Sequence, residues 1–479
     1  MNMIASTDKN TVLNTEFAQL KQHYNKTPYL PINARIHYLK TLKNSLIKHQ
    51  GELVGALNTD FGCRTDFDTN IADIMPTVAQ INYTLKHLKG WMKPSRRGAG
   101  LMFMPTKVAV EYQPLGVIGI IAPWNFPVIL SVGPIATAIA AGNRVMLKLS
   151  EFTPETNKVI SKILNVLNEH IVVIEGEAEV AAEFSRLPFD HLLFTGSTQV
   201  GRYVAQAAAP NLTPVTLELG GKSPAIVLDD SDLEVAVDAI LFGKCLNAGQ
   251  ICVSPDYAFV PEKKVEQFVE LFHTRLKLLY PELNEKGGFT QIINQRQYDR
   301  LIACVEDAKE KGAVLHHSDL TPLSSENDNS EQASRFMAPL LLTEVTEEMR
   351  VLQEEIFGPL LPIKPYKDIE EVMDYINSKD RPLALYIMSK DKSAIQRIVR
   401  ATHSGGVGIN ETVFHVGAED APFGGIGPSG MGHYHGEEGF RTFSHGKTVF
   451  HTPAWLPRVK LLTQSKPKMI NIMKRVFLR

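Results

Sequence analysis

Between Glu111 and Arg144 the chain carries no charged residue. An apolar run of about 18 residues or more would ordinarily read as a membrane-spanning helix. Here Pro123, Pro127 and Pro134 punctuate the run, and Trp124-Asn125 lies between the first two. Proline lacks the amide hydrogen a helix interior needs, so the segment reads as strand, loop and helix buried in protein. Val117 to Ala122 is the predicted strand. Val128 to Ala141 is a small-residue helix that stops at Gly142-Asn143, a C-cap signal. The same grammar continues downstream. Strands are predicted at 145–149, 171–174 and 191–195. A helix follows Thr153-Pro154, with Thr153 as N-cap, and another covers about 199–209. Strand–helix alternation of this kind implies parallel strands joined by crossover helices, a doubly wound α/β nucleotide-binding domain.

A second α/β unit begins near Gly220. Ala225 to Leu228 reads as a strand, and Ser231-x-x-Glu234 as a capping box opening a helix to about Asn247. Helices are predicted at 34–57, 263–280 and 295–311. The polar, serine-rich stretch 318–335 reads as an exposed excursion. At 479 residues the chain accommodates two to four domains at roughly 100–200 residues each. Four cysteines, at 63, 245, 252 and 304, form no Cys-x-x-Cys pair, which excludes a disulfide scaffold and makes a zinc ribbon a poor reading; no metal site is expected. A net charge of −2 argues against a nucleic-acid binder. Residues 439–479 nevertheless hold nine Lys or Arg and no Asp or Glu, against 41 basic and 52 acidic residues elsewhere. The polar N-terminus lacks an apolar signal-peptide region, so a cytoplasmic location is the expectation.

Several residues sit in settings suited to chemistry. Cys252 follows a helix end and Gly249-Gln250, a turn fit to present an exposed thiolate. Cys63, Cys245 and Cys304 read as small buried hydrophobes, Cys304 sharing a helix face with Leu301 and Ala308. Glu218 lies between two leucines at a strand end. Desolvation there would raise its pKa toward that of a general base, the alternative being a pair with Lys222. Asn125 either satisfies a buried backbone group or offers its NH2 to an oxyanion. Phe194-Thr195-Gly196-Ser197-Thr198 occupies a strand-to-helix turn, where free backbone N–H groups can receive a phosphate or simply make a turn. The dinucleotide fingerprint Gly-x-Gly-x-x-Gly is absent. Lys148-Leu149-Ser150-Glu151 follows another strand at the same sheet edge and could place an ammonium and a carboxylate on ribose hydroxyls.

In order and spacing, Pro-Trp-Asn-Phe-Pro (123–127), Lys-x-Ser-Glu (148–151), Phe-Thr-Gly-Ser (194–197), Leu-Glu-Leu-Gly-Gly-Lys-Ser-Pro (217–224), Gly-Gln-x-Cys (249–252) and Glu-Glu-Ile-Phe-Gly-Pro (354–359) resemble the aldehyde dehydrogenase superfamily over about residues 15–450. The short N-terminus and the stretch from Pro422-Phe423-Gly424-Gly425 to Phe443-Ser444-His445 are similar to class 3 members, and within them to the coniferyl aldehyde dehydrogenase-like bacterial branch.

The resemblance implies a fold of three parts. These are a Rossmann-type NAD(P)-binding domain (1–95 and 115–219), an α/β catalytic domain (220–407) and a small β bridging and oligomerisation element (96–114 and 440–452), followed by a basic C-terminal tail (453–479). It implies that Cys252 attacks an aldehyde carbonyl, that the Asn125 side chain and the Cys252 backbone N–H hold the resulting oxyanion, and that Glu218 activates the water that releases the acid. Lys148 and Glu151, with Ser150 between them, would meet the adenosine ribose, Gly196 and Ser197 the pyrophosphate, Glu355 the nicotinamide ribose, and Phe357 the ring. Glu151 would repel a 2′-phosphate and favour NAD, with NADP left open because class 3 enzymes often accept both. The implied substrate is a hydrophobic aliphatic or aromatic aldehyde such as coniferyl aldehyde, and the implied assembly a homodimer. The tail departs from the family core. It either packs on the dimer, stays without fixed structure, or touches anionic lipid as a basic amphipathic segment, which would make the protein peripheral to a membrane. Two other functions compete: acylation of CoA in place of water, and a catalytically silent binding protein on the same fold.

Overall fold

The computed structural model describes residues 3–283, 285, 287–318, 335–464 and 466–478. All of the polar excursion at 318–335 except its two ends lies outside the described residues. The charge-free segment resolves into a buried strand, Val117–Ile121, a loop carrying Trp124-Asn125, and a helix, Ile129–Ala141, closed by Gly142 at φ 97°. Pro123 and Pro127 flank the loop, whereas Pro134 rides inside the helix rather than interrupting it. Among the described residues no helix is long and apolar enough to cross a membrane.

Three sheets organise the chain. The first has six strands in the spatial order Gly430–Met431, Val215–Glu218, His191–Thr195, Val117–Ile121, Arg144–Lys148, Ile171–Ile174. All pairs are parallel except the short Gly430–Met431, which runs antiparallel to Val215–Glu218 with Gly430 opposite Glu218. The chain leaves Val117–Ile121 toward one edge and later returns to its other side with His191–Thr195. Strand order therefore reverses between these two, and the crevice outside their carboxyl ends is the expected ligand site of an open α/β sheet. The second sheet has seven strands in the order Val314–His316, Leu340–Thr343, Leu360–Tyr366, Tyr257–Pro261, Pro224–Val227, Ala384–Met388, Gly406–Ile409, parallel but for the first. The third is antiparallel: Ser95–Arg97, Lys107–Pro114 and Ser444–His451, the last two paired over eight residues.

Several sequence expectations need correction. The helix expected over 34–57 is two helices, Ile32–Lys48 and Gln50–Phe61, broken at His49. The helix opening the second unit is capped by Asp232, whose side chain accepts from the Val235 N–H; the Ser231 hydroxyl instead donates to the Leu228 carbonyl. That helix ends at Cys245, and Asn247 and Ala248 take left-handed φ of 51° and 52°. A first helix, Met3–Lys26, was not anticipated; it buries Leu13, Phe17 and Leu20, an i, i+4, i+7 stripe. The helix Pro154–Leu164 does start after Thr153, but the Thr153 hydroxyl donates to Asn157 and caps nothing. Its free N–H groups go to Asp60, which accepts from Glu155 N at 3.0 Å, Thr156 N at 2.8 Å and Thr156 Oγ1 at 2.6 Å. Removing this cap from the neighbouring helix should cost about 1–2 kcal/mol. Asp60→Ala is therefore expected to lower the urea midpoint measurably, and Thr153→Ser to leave it unchanged, in denaturation followed by circular dichroism.

Candidate active site

The cleft outside the carboxyl ends of the first sheet has a volume of about 1190 Å³. Three loops of that sheet reach it: Pro123–Asn125, Thr195–Gln199 and Glu218–Lys222. From the second unit come Cys252 and the segment Leu352–Phe357 except Ile356. One cavity therefore brings together Asn125, Gly196, Ser197, Glu218, Cys252, Glu355 and Phe357. Lys148, Ser150 and Glu151 do not line it. They stand one strand over, after Arg144–Lys148, where the Lys148 ammonium donates to the Leu149 carbonyl at 2.8 Å and to Glu151 at 3.4 Å. The Ser150 hydroxyl accepts from Phe152 N, and its carbonyl accepts from Asn157. Those groups are occupied in shaping their own turn.

Cys252 sits on a backbone that only a strained turn supplies. Asn247 and Ala248 are left-handed, and Gly249 has φ 69°. A Cβ at Gly249 would lie 2.5 Å from the Gly358 carbonyl oxygen, so the two segments pack backbone to backbone. Gln250 is buried below the turn. Its amide donates to the Asn247 and Gln291 carbonyls at 3.0 Å each and accepts from Ile293 N at 3.0 Å. The Asn125 amide donates to the Gln250 carbonyl at 3.1 Å, which fixes that side chain beside the cysteine turn. Asn125 thus satisfies a buried carbonyl, the first of the two alternatives the sequence left open, and its NH2 group carries a second N–H.

The thiol is half-buried rather than exposed, and the expectation of a ready thiolate does not hold. Burial, then the carboxyls of Glu355 and Glu218, push the Cys252 thiol up to about 12. Glu218 is 4% exposed, and neither of its oxygens has a hydrogen-bond partner among the described residues. Burial alone raises its carboxyl well above the usual range. The alternative pairing with Lys222 is overturned: Lys222 binds Asp256 and donates to the Val351 and Glu354 carbonyls at 2.8 and 2.9 Å. Asp256 also accepts from Ile356 N at 2.8 Å, so this ion pair anchors the strip that carries Glu355 and Phe357. Burial, with Asp256 nearby, raises Glu355 to about 7. Its carboxylate lies over Gly220, where a Cβ would come within 2.2 Å of Oε1. Phe357 takes a left-handed φ of 50° and meets Trp124 edge-on at 5.4 Å.

The donor set fits a nucleotide. The helix Thr198–Ala208 opens its N-terminus into the cleft beside Arg202, a favourable place for a phosphate. A carboxylate at Glu355 is the acceptor a ribose diol requires. No group of acidic, cysteine or histidine residues that could hold a metal occurs among the described residues.

Known proteins match this arrangement over nearly the whole chain. The model of the aldehyde dehydrogenase family covers residues 5–449. The chain belongs to the aldehyde dehydrogenase family. A probable coniferyl aldehyde dehydrogenase of Pseudomonas aeruginosa is 49% identical over 439 residues, 91% of this chain and 90% of that protein. Aldehyde dehydrogenase family 3 member A2 of Macaca fascicularis is 36% identical over 90% of this chain and 86% of its own, in keeping with the class 3 resemblance. Among solved structures, the substrate-bound state of Staphylococcus aureus AldH superposes with a TM-score of 0.89 at 35% identity, covering both chains fully. A Mycobacterium tuberculosis aldehyde dehydrogenase complexed with NAD+ gives a TM-score of 0.83 at 27% identity, over 93% of this chain and 91% of the other. In this dehydrogenase, sequence motifs pointed to the cleft residues but missed Gln250's partners and the buried Arg64 and Asp68, described below, which carry no motif.

The unpartnered Glu218 makes a prediction about stability. Its folded-state carboxyl is raised above the unfolded one, so its charged form is disfavoured in the fold. That cost is absent below the unfolded pKa, near 4.3, and grows as pH rises above it. Glu218→Gln removes the titration. The melting temperature of the variant, relative to the parent, should therefore climb as pH rises above the unfolded pKa and level off once the folded carboxyl is ionised, in differential scanning calorimetry; a constant offset would contradict the assignment.

Proposed function

We propose that this dehydrogenase oxidises an aldehyde to a carboxylic acid with NAD+, through a covalent thiohemiacetal and thioester on Cys252. The observation that carries the reading is the meeting, in one cleft, of a half-buried thiol, a fixed carboxamide and a buried carboxyl without a partner. Cys252 gives its proton to solvent water in the open cleft, and its sulfur bonds to the aldehyde carbon. The second Asn125 N–H and the Cys252 backbone N–H receive the oxygen as it gains charge, a contribution that typically amounts to about 10²–10³ in rate per donor. The nicotinamide, when bound, supplies the acceptor for the hydride that leaves that carbon. Glu218 then takes a proton from water, the water oxygen attacks the thioester carbonyl, and the thiolate departs with release of the acid. A carboxyl raised by desolvation is matched to this task near neutral pH.

Ser197 and Gly196 at the helix N-terminus are proposed to face the pyrophosphate, Glu355 the nicotinamide ribose, and Phe357 the ring; Lys148, Ser150 and Glu151 are proposed to meet the adenosine ribose beyond the cleft described above. The NAD+ complex of the Mycobacterium tuberculosis relative supports NAD, and Glu151 disfavours the 2′-phosphate of NADP. The name of the Pseudomonas aeruginosa relative supports coniferyl aldehyde or a similar aromatic aldehyde. The buried Glu218 carboxyl favours water over CoA as acyl acceptor. With coniferyl aldehyde and NAD+, the parent should release free acid without CoA, Cys252→Ala should form no NADH, and Glu218→Gln should accumulate an acyl adduct on Cys252 visible by mass spectrometry. NADH formation by Cys252→Ala would end the proposal.

The three sheets support the division into an NAD(P)-binding domain (1–95 and 115–219), a catalytic domain (220–407) and a bridging element (96–114 and 440–452). The bridging sheet is proposed to join two copies into a homodimer. The tail (453–479) holds the helices Arg458–Gln464 and Lys466–Phe477 and exposes Val459, Leu461 and Ile470 near Lys466, Lys468, Lys474 and Arg475. Weak contact of this surface with anionic lipid, on an otherwise cytoplasmic enzyme, is part of the proposal. Deletion of 458–479 should abolish cosedimentation with phosphatidylserine-containing vesicles while leaving turnover intact; unchanged partitioning would refute it.

A further inference from the structure

Two elements must be held in register for the chemistry above: the loop carrying Asn125 and the turn carrying Cys252. They come from different sheets. Between them lies Arg64, with no exposed side-chain surface. Its Nη1 donates to the Asn125 main-chain carbonyl at 2.8 Å. Its guanidinium stands 5.0 Å from the ring centroids of both Phe61 and Phe126, so it also grips the residue after Asn125. Asp68, four residues on, reaches the other element. Its carboxylate accepts the backbone N–H of Asn247, the first left-handed residue of the cysteine turn, at 3.1 Å, and the hydroxyl of Thr290. The Asn247 side chain closes the circuit, donating to the Asn125 carbonyl at 3.3 Å and to the Gln250 carbonyl at 3.2 Å.

The helix that follows Arg64 and supplies Asp68 has an unusual turn. Residues Asn70–Ile74 form a π-turn between Asp66–Thr69 and the helix Met75–Trp91. A wide turn of this kind lets side chains five residues apart share a face, where an α-helix would separate them. Asp73 accordingly joins Asp68 beside Arg64, with Oδ2 3.6 Å from Nη2, while Oδ1 accepts from Ile129 N at 2.6 Å. Its bond to Ile129 ties down the far end of the Asn125 loop, where the helix Ile129–Ala141 begins. A buried cation between two buried carboxylates is costly to leave half-satisfied, and each member here is bonded to a backbone group of the loop or the turn.

We infer that Arg64 and Asp68 are positioning residues that set the distance between the Asn125 amide and the Cys252 sulfur, Arg64 by holding the loop and Asp68 by holding the turn. The inference rests on the roles proposed above for Cys252 and Asn125. Displacement of a donor by about 1 Å can cost on the order of 10²-fold in rate. The clamp acts on oxyanion stabilisation and not on the thiol's reactivity as such.

That distinction gives the test. An activated ester, p-nitrophenyl acetate, acylates a thiol through a tetrahedral oxyanion and needs no cofactor. Iodoacetamide alkylates the same sulfur by displacement at carbon, with no oxyanion. Both rates are measured on the full-length protein for Arg64→Lys, Arg64→Met, Asp68→Asn and Asn125→Ala, with melting temperatures alongside. Arg64→Met and Asp68→Asn should slow ester acylation about 10- to 100-fold, with alkylation of Cys252 within about twofold of the parent. Arg64→Lys should recover part of the loss. Equal losses in both reactions, or near-parental acylation by folded Arg64→Lys and Asp68→Asn, would overturn the inference. If Arg64→Met does not fold, Arg64→Lys and Asp68→Asn, which nearly preserve side-chain volume, decide it. Unchanged acylation by Asn125→Ala would instead remove the underlying role of Asn125, so the two failures are told apart.

Discussion

Desolvation governs the chemistry of this dehydrogenase. Cys252, Glu218 and Glu355 line one cleft, and burial is the leading cause of the raised pKa of each. Lys222, the cation that sequence proximity offered to Glu218, is committed to Asp256 and to two backbone carbonyls. With that ammonium committed elsewhere, burial raises the Glu218 carboxyl. Burial likewise pushes the Cys252 thiol up, with the Glu355 and Glu218 carboxyls adding to it.

The architecture serves that cleft by bringing three strand ends to it. Asn125, Ser197 and Glu218 follow three adjacent parallel strands, Val117–Ile121, His191–Thr195 and Val215–Glu218. Glu218 and Thr195 are direct partners in the sheet, so the carboxyl and the helix N-terminus at Ser197 keep a fixed separation. The second unit contributes the cysteine turn and the Glu355 strip, with Tyr257, Arg300 and Tyr375 along the same cleft. Glycines let segments of the second unit close up tightly, as where Gly249 meets the Gly358 backbone and Gly220 leaves room for the Glu355 carboxylate, and this explains why glycines punctuate both motifs.

Much of this was legible in sequence. The charge-free segment, read through its prolines, placed a strand, the Asn125 loop and a helix where they stand. The alternation that followed gave the parallel sheet. Motif positions led to seven residues that do line one cleft. What sequence missed has physical reasons. The N-terminal helix has a long polar face, and its stripe of Leu13, Phe17 and Leu20 is thin. His49 breaks a helix without proline or glycine to mark the place. Asp60 caps a helix about 95 residues later, a contact no local pattern encodes. Arg64, Asp68 and Asp73 look like ordinary surface charges in sequence. A π-turn, invisible to a 3.6-residue period, turns two of them inward. The thiolate expected at Cys252 failed because the turn's shape says nothing about how deeply the fold submerges it.

The pairing of Gly430 with Glu218 links the proposed general base to a strand more than two hundred residues away in sequence. Gly430 itself has φ 142° and approaches the Leu217 carbonyl so closely that a Cβ would lie 2.2 Å from it. During synthesis, the ribosome delivers the cofactor sheet's other five strands early, yet the sixth emerges only when the polypeptide is almost complete. Until that strand arrives, the edge of the sheet at Val215–Glu218 lacks its neighbour on that side, so the carboxyl's final surroundings are among the last features the growing chain can complete.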